Sequence, residues 1–434
     1  MGKRVLLINP NRCHHPPVIP IGLEYISHAL KHAGHETRLL DLCFLDEPKK
    51  RVAHELTAFK PDAVCVTIRN VDTVLYPETV FFLPAIKDMI MEVRSLSDAP
   101  IITGGAGMGV DPEGIVSFLE ADAGVIGPGE TTLVEMLSRP GEIRGSGKVF
   151  RGVQPEDFTY IRQDAACWAE YIENGGLGGF TTHSGCSSAC PYCIEASTPV
   201  MLRNPVSVAL EVTTLLDSGM DHLHLCDPEF NELPEHAEEV LREMVKRAPA
   251  GLKWALYMRP GHYSPALFEL LGKSGAYLIT LSVDTCVHNK TYLKDVSEMI
   301  HIAKDNGIQT CIDLLAGLPG EEDGAFDQTL EALLNARPKE TVINTTLRLC
   351  KTLPITRTVL GSEAHRKHII DNGAYAGSLL APVFYQRLTP GDIKRLAGDN
   401  ARIRIAGEEK IVNYQSEPWQ SELSEQAEPG QSGR

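Results

Sequence analysis

The sequence predicts an α/β protein with two successive sheet domains, because short apolar runs alternate with longer amphipathic runs along most of the chain. RVLLIN (4–9), TRLLDL (37–42) and DAVCVTIRN (62–70) are apolar on consecutive residues, which is typical of parallel strands buried on both faces. The alternation starts again at GFTTHS (179–184). Six predicted strands in roughly 170 residues fall short of an eightfold barrel, which typically needs about 250. We therefore expect a doubly wound parallel sheet followed by a partial (β/α)6 barrel.

The first domain is expected to continue this alternation to about residue 138. Further strands are predicted at PIITGGAG (100–107) and AGVIGPG (123–129), and helices at GLEYISHALKHAG (22–34), KKRVAHELTAF (49–59), PETVFFLPAIKDMIMEVRSL (77–96), PEGIVSFLEA (112–121) and TTLVEMLSR (131–139). RPGEIRGSGKVFRG (139–152) has the glycines and proline of a small hairpin. In a doubly wound sheet the ligand lies at the carboxyl ends of the strands.

The second domain repeats the pattern with different residues. Its later strands are predicted at HLHLCD (222–227), KWALYMR (253–259), YLITLSVD (277–284), QTCIDLLAG (309–317) and TVINTTLRL (341–349), with amphipathic helices between them. The predicted organisation is a nucleotide-fold-like domain over 1–140, a linker over 141–178, a partial barrel over 179–355, a small C-terminal region over 356–415 and a disordered polar tail over 416–434.

Composition narrows the possible partners. The chain has 434 residues, 41 of them basic and 57 acidic, and a formal net charge of −16. This charge repels a phosphate backbone, so we expect no nucleic acid partner. No apolar stretch reaches the ~18–20 residues of a membrane span, and the first strand begins without a signal-peptide layout. We therefore expect a cytoplasmic protein whose 11 cysteines are ligands or core residues and not a disulfide framework.

Three cysteines lie within eight residues in CSSACPYC, at Cys186, Cys190 and Cys193. On the loop after a first barrel strand, each thiolate can bind one iron of a cubane cluster. Electron-transfer clusters use four cysteines, so a trio leaves the fourth iron open to a substrate. A structural zinc site is the alternative, but zinc usually has four ligands, and the donor nearest in sequence is His183. Three unrelated buried thiols are a further alternative.

The Cys-x-x-x-Cys-x-Tyr-Cys motif resembles the signature of the radical S-adenosylmethionine (SAM) superfamily. The resemblance implies a [4Fe-4S] cluster whose open iron binds SAM, and it places Tyr192 near the adenine. It also implies that groups at the carboxyl ends of successive barrel strands bind SAM or substrate. The candidates for SAM are Asp227, Glu229, Arg259, Ser282, Asp284 and Gly317, and those for the substrate cavity are Tyr257, Tyr277 and His288.

The first domain lacks the Gly-x-Gly-x-x-Gly fingerprint of dinucleotide binding after its first strand. Its PIGLEYISHAL, TGGAG and GPGE segments resemble the cobalamin-binding domain that precedes many radical SAM enzymes. The resemblance implies that bare backbone at the strand ends admits the corrin and its nucleotide tail. The candidate residues are Arg69, Asn70, Gly104, Gly105, Gly127, Gly129 and Glu130. Glu130 is also suited to capping a helix, and Arg69 is expected to face the lower side of the corrin.

Together these resemblances imply a cobalamin-dependent radical SAM methyltransferase. It would use SAM, methylcobalamin and a [4Fe-4S] cluster to methylate an unactivated carbon of a small biosynthetic intermediate. Its expected partners are that substrate and an external one-electron reductant of the flavodoxin or ferredoxin type. Three alternatives stay open, namely a rearrangement or oxidative cyclisation with the same cofactors, a non-radical methyl transfer, and a non-catalytic cobalamin sensor.

Overall fold

A computed structural model describes residues 2–14, 16–74, 76–153, 162, 168–247, 251–286, 290–370, 379–398 and 400–407. His288 and the predicted tail over 416–434 lie outside these residues. The described residues contain two parallel sheets, one in each half of the chain. The predicted α/β fold class is therefore confirmed.

The first sheet consists, in the described residues, of β1 (Arg4–Asn9), β2 (Glu36–Asp41), β3 (Ala63–Thr67), β4 (Ile101–Gly104), β5 (Ala123–Ile126) and β6 (Lys148–Arg151). Their order is β2-β1-β3-β4-β5-β6, and each neighbouring pair is parallel. The helices are α1 (Ile21–His32), α2 (Pro48–Phe59), α3 (Leu83–Leu96), α4 (Pro112–Leu119) and α5 (Glu130–Ser138). Alternate residues of the strands pack on α1 and α5 on one face and on α2 to α4 on the other, so the sheet is doubly wound.

Two sequence predictions for this domain were wrong. The predicted hairpin over 139–152 is not formed, because Lys148–Arg151 pairs in parallel with β5 as the sixth strand of the sheet. The first sheet thus extends beyond the predicted boundary at residue 140. Helix α3 begins at Leu83 and not at Pro77. Phe81 pairs with Asp72 in an isolated antiparallel bridge, and residues 76–78 form bends, so the helix cannot begin at Pro77.

The remaining strands of the described chain are β7 (Gly178–Phe180), β8 (His183–Cys186), β9 (Thr198–Leu202), β10 (His222–Leu225), β11 (Lys253–Met258), β12 (Ala276–Asp284), β13 (Gln309–Leu315), β14 (Glu340–Asn344), β15 (Leu347–Arg348), β16 (Ile369–Ile370), β17 (Phe384–Tyr385) and β18 (Ile403–Ile405). The remaining helices are α6 (Trp168–Glu173), α7 (Pro205–Asp217), α8 (Pro234–Arg247), α9 (Pro265–Lys273), α10 (Lys290–Asp305), α11 (Ala325–Ala336), α12 (Pro354–Gly361), α13 (Glu363–Arg366) and α14 (Pro390–Ala397). Several begin with proline, whose missing N–H costs nothing at the first helical position.

The second sheet is an open parallel barrel in the order β7-β10-β11-β12-β13-β14-β18. Six of its strands contain the core of the six predicted segments, and β18 is an additional strand that the C-terminal region supplies after α14. The predicted strand GFTTHS is divided between β7 and β8, and TVINTTLRL between β14 and β15. Alternate strand residues point outward, into the apolar layer formed with the surrounding helices.

The C-terminal region packs between the two domains. Its small sheet has the antiparallel order β15-β17-β16. The Arg348 guanidinium donates to Asp72 Oδ2 in the first domain at 2.9 Å and to the carbonyls of Leu379 and Leu380. Both charged side chains of this pair are buried, and Leu380 belongs to the apolar core of the first domain. Arg348, in β15 directly after β14, therefore connects the loop after β3 to the C-terminal region.

A second connection between the domains is a buried ionic network. Arg162 donates to Glu24 on α1 and lies 3.4 Å from Glu211 on α7, which also pairs with Arg203 at 2.7 Å. Trp168 donates to the other oxygen of Glu24 at 2.6 Å. All four charged side chains are at most 3% exposed.

Within the described residues, none of the helices combines the length and apolar character that crossing a membrane requires.

Candidate active site at the strand ends of both domains

The cysteine loop, residues 186–193, is held by the hairpin of β8 and β9. Cys186 is buried at the end of β8, and its N–H donates to Thr198 Oγ1 of β9 at 3.0 Å. Cys190 and Cys193 are half-buried, and the Cys193 N–H donates to the Cys190 carbonyl at 3.2 Å. The backbone of this hairpin thus fixes the positions from which the three thiols project.

The chemistry of this donor set fits an iron–sulfur cluster. All three thiols are free. Burial raises the pKa of Cys190 and of Cys193, so their protons must leave when iron binds. Among the described residues, no three His, Cys, Asp or Glu side chains converge on the position of a single metal ion.

The aromatic residue before the last cysteine is fixed at the end of β12. Tyr192 O–H donates to Asp284 Oδ2 at 2.6 Å, and Asp284 Oδ1 accepts from the Cys286 N–H at 2.8 Å. Burial and the charge of Asp284 raise the pKa of Tyr192, so the phenol stays protonated. Two of the predicted SAM residues, Tyr192 and Asp284, are therefore in direct contact.

Three more of the predicted residues meet beside the cysteine loop. Arg259, which follows β11, donates to Ser188 Oγ and lies 3.4 Å from Glu232 Oε2. Ser282 hydrogen-bonds the Glu229 carboxyl group, but Glu229 Oε2 is buried without a hydrogen-bond partner among the described residues. Burial raises the pKa of Glu229 to about 7. A buried acceptor without a partner indicates a missing donor.

Asp227 has partners other than those expected from the sequence. Its Oδ1 accepts from the Thr182 N–H at 2.8 Å, and Oδ2 lies 3.1 Å from His183 Nδ1. Burial alone would lower the pKa of His183, but the hydrogen bond and charge of Asp227 outweigh it and raise the pKa. Both oxygens are engaged within the protein, so Asp227 orients the start of the hairpin, and its predicted role in SAM binding stays a prediction.

The predicted substrate residues do not lie together. Tyr257 is near the carboxyl end of β11, whereas Tyr277 is the second residue of β12 and packs near Cys311 at the opposite end of the barrel. The prediction for Tyr277 was wrong, because Tyr277 lies at the amino end of β12, whereas the site lies at the carboxyl ends of the parallel strands. The sequence analysis missed His224, whose ring lies edge-on to Tyr257 with centroids 5.9 Å apart. The alternation of side chains between the two faces of β10 could have identified this residue from the sequence.

The predicted glycines of the first domain line one cavity. It has a volume of about 160 Å³ and lies between the ends of β3 to β5 and the starts of α1 and α5. Its lining includes Gly104, Gly105, Gly127, Gly129 and Glu130, together with Gly22, Leu23, Ile26, Cys65, Val66, Thr67, Ile102, Thr103, Val125, Pro128 and Leu133. Gly105 also has a structural requirement, because at φ +102° a Cβ would lie 2.8 Å from the Ile68 carbonyl oxygen.

The loops at the strand ends of the two domains are in contact. Arg69 and Asn70 are exposed after β3. Burial, and then the charge of Arg69, lower the pKa of His224 in the barrel to about 4, so this imidazole is neutral at physiological pH. A Cβ on Gly109, which follows β4, would lie 3.2 Å from Ile194 beside the cysteine loop. The cavity of the first domain and the cysteine loop therefore open toward the same region.

Comparison with known proteins agrees with this geometry. Residues 5–137 match the model of the B12 binding domain, and residues 180–333 match that of the radical SAM superfamily. The chain thus joins a B12-binding domain to a radical SAM domain and is homologous to cobalamin-dependent radical SAM methyltransferases. Tryptophan 2-C-methyltransferase from Streptomyces laurentii is 26% identical over 444 residues, which cover 82% of this chain and 74% of that protein.

Two solved structures are also similar. The radical SAM methyltransferase TsrM from Kitasatospora setae, with cobalamin and a [4Fe-4S] cluster bound, has a TM-score of 0.80 and 25% identity over 93% of both chains. Another structure of that protein contains tryptophan and a SAM analogue. OxsB, with aqua-cobalamin and SAM bound, has a TM-score of 0.66 at 13% identity, over 89% of this chain and 64% of that one. This last similarity concerns the fold alone.

Proposed function

We propose that this chain transfers a methyl group to a carbon atom of a small molecule that binds between the two domains. The observation that carries the proposal is the contact between the strand-end loops, where Gly109 meets Ile194 and the charge of Arg69 reaches His224. A group bound at the first domain and a group bound at the cysteine loop can therefore act on one substrate. When bound, cobalamin supplies the methyl group, and the cluster with SAM supplies one-electron chemistry.

On the barrel side, Cys186, Cys190 and Cys193 hold three corners of the cluster in this proposal. The unpartnered Glu229 Oε2 is the acceptor for the SAM amino group, and Arg259 is the donor for its carboxylate. Tyr192 and Asp284 flank the adenosine, and the backbone at Gly317 approaches it. In this arrangement Ser282 orients Glu229, and Ser188 orients Arg259.

On the first-domain side, the 160 Å³ cavity takes the end of the cobalamin nucleotide tail. A cavity of this size between a sheet and two helices suits a bicyclic base but not a corrin ring, which then lies outside, near Arg69 and Asn70. A guanidinium cannot ligate cobalt, so Arg69 would contact the corrin without coordinating its metal. His15, in the loop after β1, lies outside the described residues.

Blocking this cavity is expected to abolish cobalamin binding without disturbing the fold. A Cβ on Gly104, which lines the cavity, would meet only the Val125 carbonyl oxygen, at an ordinary 3.7 Å, so the backbone there has room for a Cβ, and Gly104→Val is expected to occupy part of the cavity. We expect at least about a 100-fold loss of cobalamin affinity, about 2.7 kcal/mol, measured by absorbance titration. Gly141→Val, where a Cβ has open space outside the cavity, is the matched control. Equal affinity in the two variants would contradict the assignment.

The substrate is proposed to be a small molecule bound beside Tyr257 and His224. Support comes from TsrM, one structure of which contains tryptophan as its substrate. An external one-electron reductant of the flavodoxin or ferredoxin type completes the proposal, because SAM cleavage requires an electron that the chain does not generate. The free thiols suit a reducing compartment, which supports a cytoplasmic location.

Product analysis tests the proposed function. Anaerobically reconstituted protein, supplied with cobalamin, SAM, a reductant and candidate substrates that include tryptophan, is expected to give S-adenosylhomocysteine and a product heavier by one methyl group. Formation of 5′-deoxyadenosine in equal amount would indicate a radical route, and its absence beside methylated product a polar one. A rearranged or cyclised product without added mass would contradict methyl transfer.

A further inference from the structure

The C-terminal segment after β17 contacts the loop that follows β13, here called the Gly317 loop and comprising residues 316–321. A Cβ on Gly317 would lie 3.2 Å from the Leu388 backbone nitrogen. Gly317 also has φ +78°, a left-handed conformation that favours glycine. The C-terminal segment therefore packs directly against the backbone of this loop at Gly317.

Glu321 connects the loop to its neighbours. Its side chain is only 4% exposed. Its Oε2 accepts from the Gly317 N–H at 2.7 Å and from Thr285 Oγ1 at the end of β12. Its Oε1 pairs with the Arg387 guanidinium, and Arg387 Nε also donates to the Gly317 carbonyl at 3.4 Å. Arg387 thus contacts the Gly317 carbonyl directly and the Gly317 N–H through Glu321.

The C-terminal region has anchors other than Arg387. Arg348, buried in its pair with Asp72, donates to the Leu379 and Leu380 carbonyls of that region, and Tyr385 of the region packs in an apolar cluster with Leu349. The Arg387 side chain is one-third exposed and forms neither of these contacts. Its contacts with the Gly317 loop are therefore better explained by the conformation of the loop than by the stability of the region.

We propose that Arg387 is a positioning residue for SAM, which acts by holding the Gly317 loop in the conformation that receives the adenosyl group. This inference rests on the proposed function, in which SAM binds in the barrel. The physical reason is preorganisation, because without Arg387 the loop must be ordered when SAM binds, and that cost is subtracted from the affinity. The inference also gives the C-terminal region a role at a cofactor site formed by the barrel.

The test compares SAM affinity in wild-type protein and in Arg387→Gln. We expect the Kd for SAM, measured by anaerobic equilibrium dialysis of the reconstituted protein, to rise roughly tenfold. The Kd for cobalamin and the iron content are expected to stay within twofold of wild type. Arg395→Gln is the matched control, because Arg395 pairs with Asp392 on α14 in the same region and, among the described residues, forms no hydrogen bond or ion pair with the Gly317 loop. It is expected to bind SAM like wild type.

A second pair of variants separates positioning from stability. Because Arg387 contacts the loop mainly through Glu321, Arg387→Gln should weaken SAM binding much less in a Glu321→Gln background than alone. Arg387→Lys, which retains the charge, should recover part of the affinity. A lower Tm with an unchanged Kd for SAM in Arg387→Gln would overturn the inference. Failure of the wild-type protein itself to bind SAM would instead overturn the proposed function on which it rests.

Discussion

Replacing Cys186, Cys190 or Cys193 by alanine, one at a time, is expected to remove most of the iron and to lower activity more than about 100-fold. We expect the loss of iron because a cubane cluster held by three thiolates has no other cysteine on this loop that could replace a missing one. Cobalamin binding should survive in each variant, because the cavity proposed for its nucleotide tail lies in the first domain and is lined by none of these residues. Iron content, the cluster absorbance and cobalamin affinity are the three measurements.

Cys311→Ala is the matched control for these variants. Cys311 is a buried free thiol in β13 of the barrel, where it packs with Ala255 and Leu278 away from the carboxyl ends of the strands. This variant removes the same thiol group from the same domain but not from the cysteine loop, so iron content and activity should stay close to wild type. Retention of full iron and activity in any variant of the cysteine loop would refute the cluster assignment.

The sequence was sufficient for the features that depend on local pattern and chain direction. Apolar runs located the strands, and parallel strands bring their carboxyl ends to one edge, so residues far apart in sequence were correctly expected together. Gly104 and Gly127 now line one cavity, and Tyr192 and Asp284 share a hydrogen bond across 92 residues. Neither grouping required knowledge of the side-chain conformations.

The features that the sequence analysis did not predict depend on pairing over long distances or on competition between donors. Strand β18 joins the barrel through Ile343, about 60 residues earlier in the chain. The Arg348–Asp72 pair spans 276 residues. Asp227 follows β10 as a SAM ligand would, but Thr182 and His183 provide hydrogen-bond donors to it. No pattern in the sequence shows that these two residues lie within hydrogen-bond distance of Asp227.

Removing Glu211 is expected to cause a large loss of stability. Its carboxylate lies between Arg162 and Arg203 and accepts from Tyr25 O–H at 2.8 Å, and all of these side chains are buried. Glu211→Ala therefore leaves two guanidinium groups with one carboxylate, that of Glu24. Breaking a buried pair in this way costs about 3–5 kcal/mol, because the charge that remains is uncompensated.

Thermal unfolding followed by circular dichroism is the measurement, and we expect Glu211→Ala to lower Tm by at least roughly 5 °C. Arg242→Ala, which breaks the half-exposed pair with Glu238 on α8, should change Tm little and is the control. The double variant Glu211→Ala, Arg203→Met should be more stable than Glu211→Ala alone, because it restores the charge balance of the network. If the double variant is less stable than the single one, then lost packing and not unpaired charge explains the effect. Cobalamin affinity should fall along with Tm in Glu211→Ala, since Glu24 and Tyr25 lie on α1, whose first turns line the cavity of the first domain.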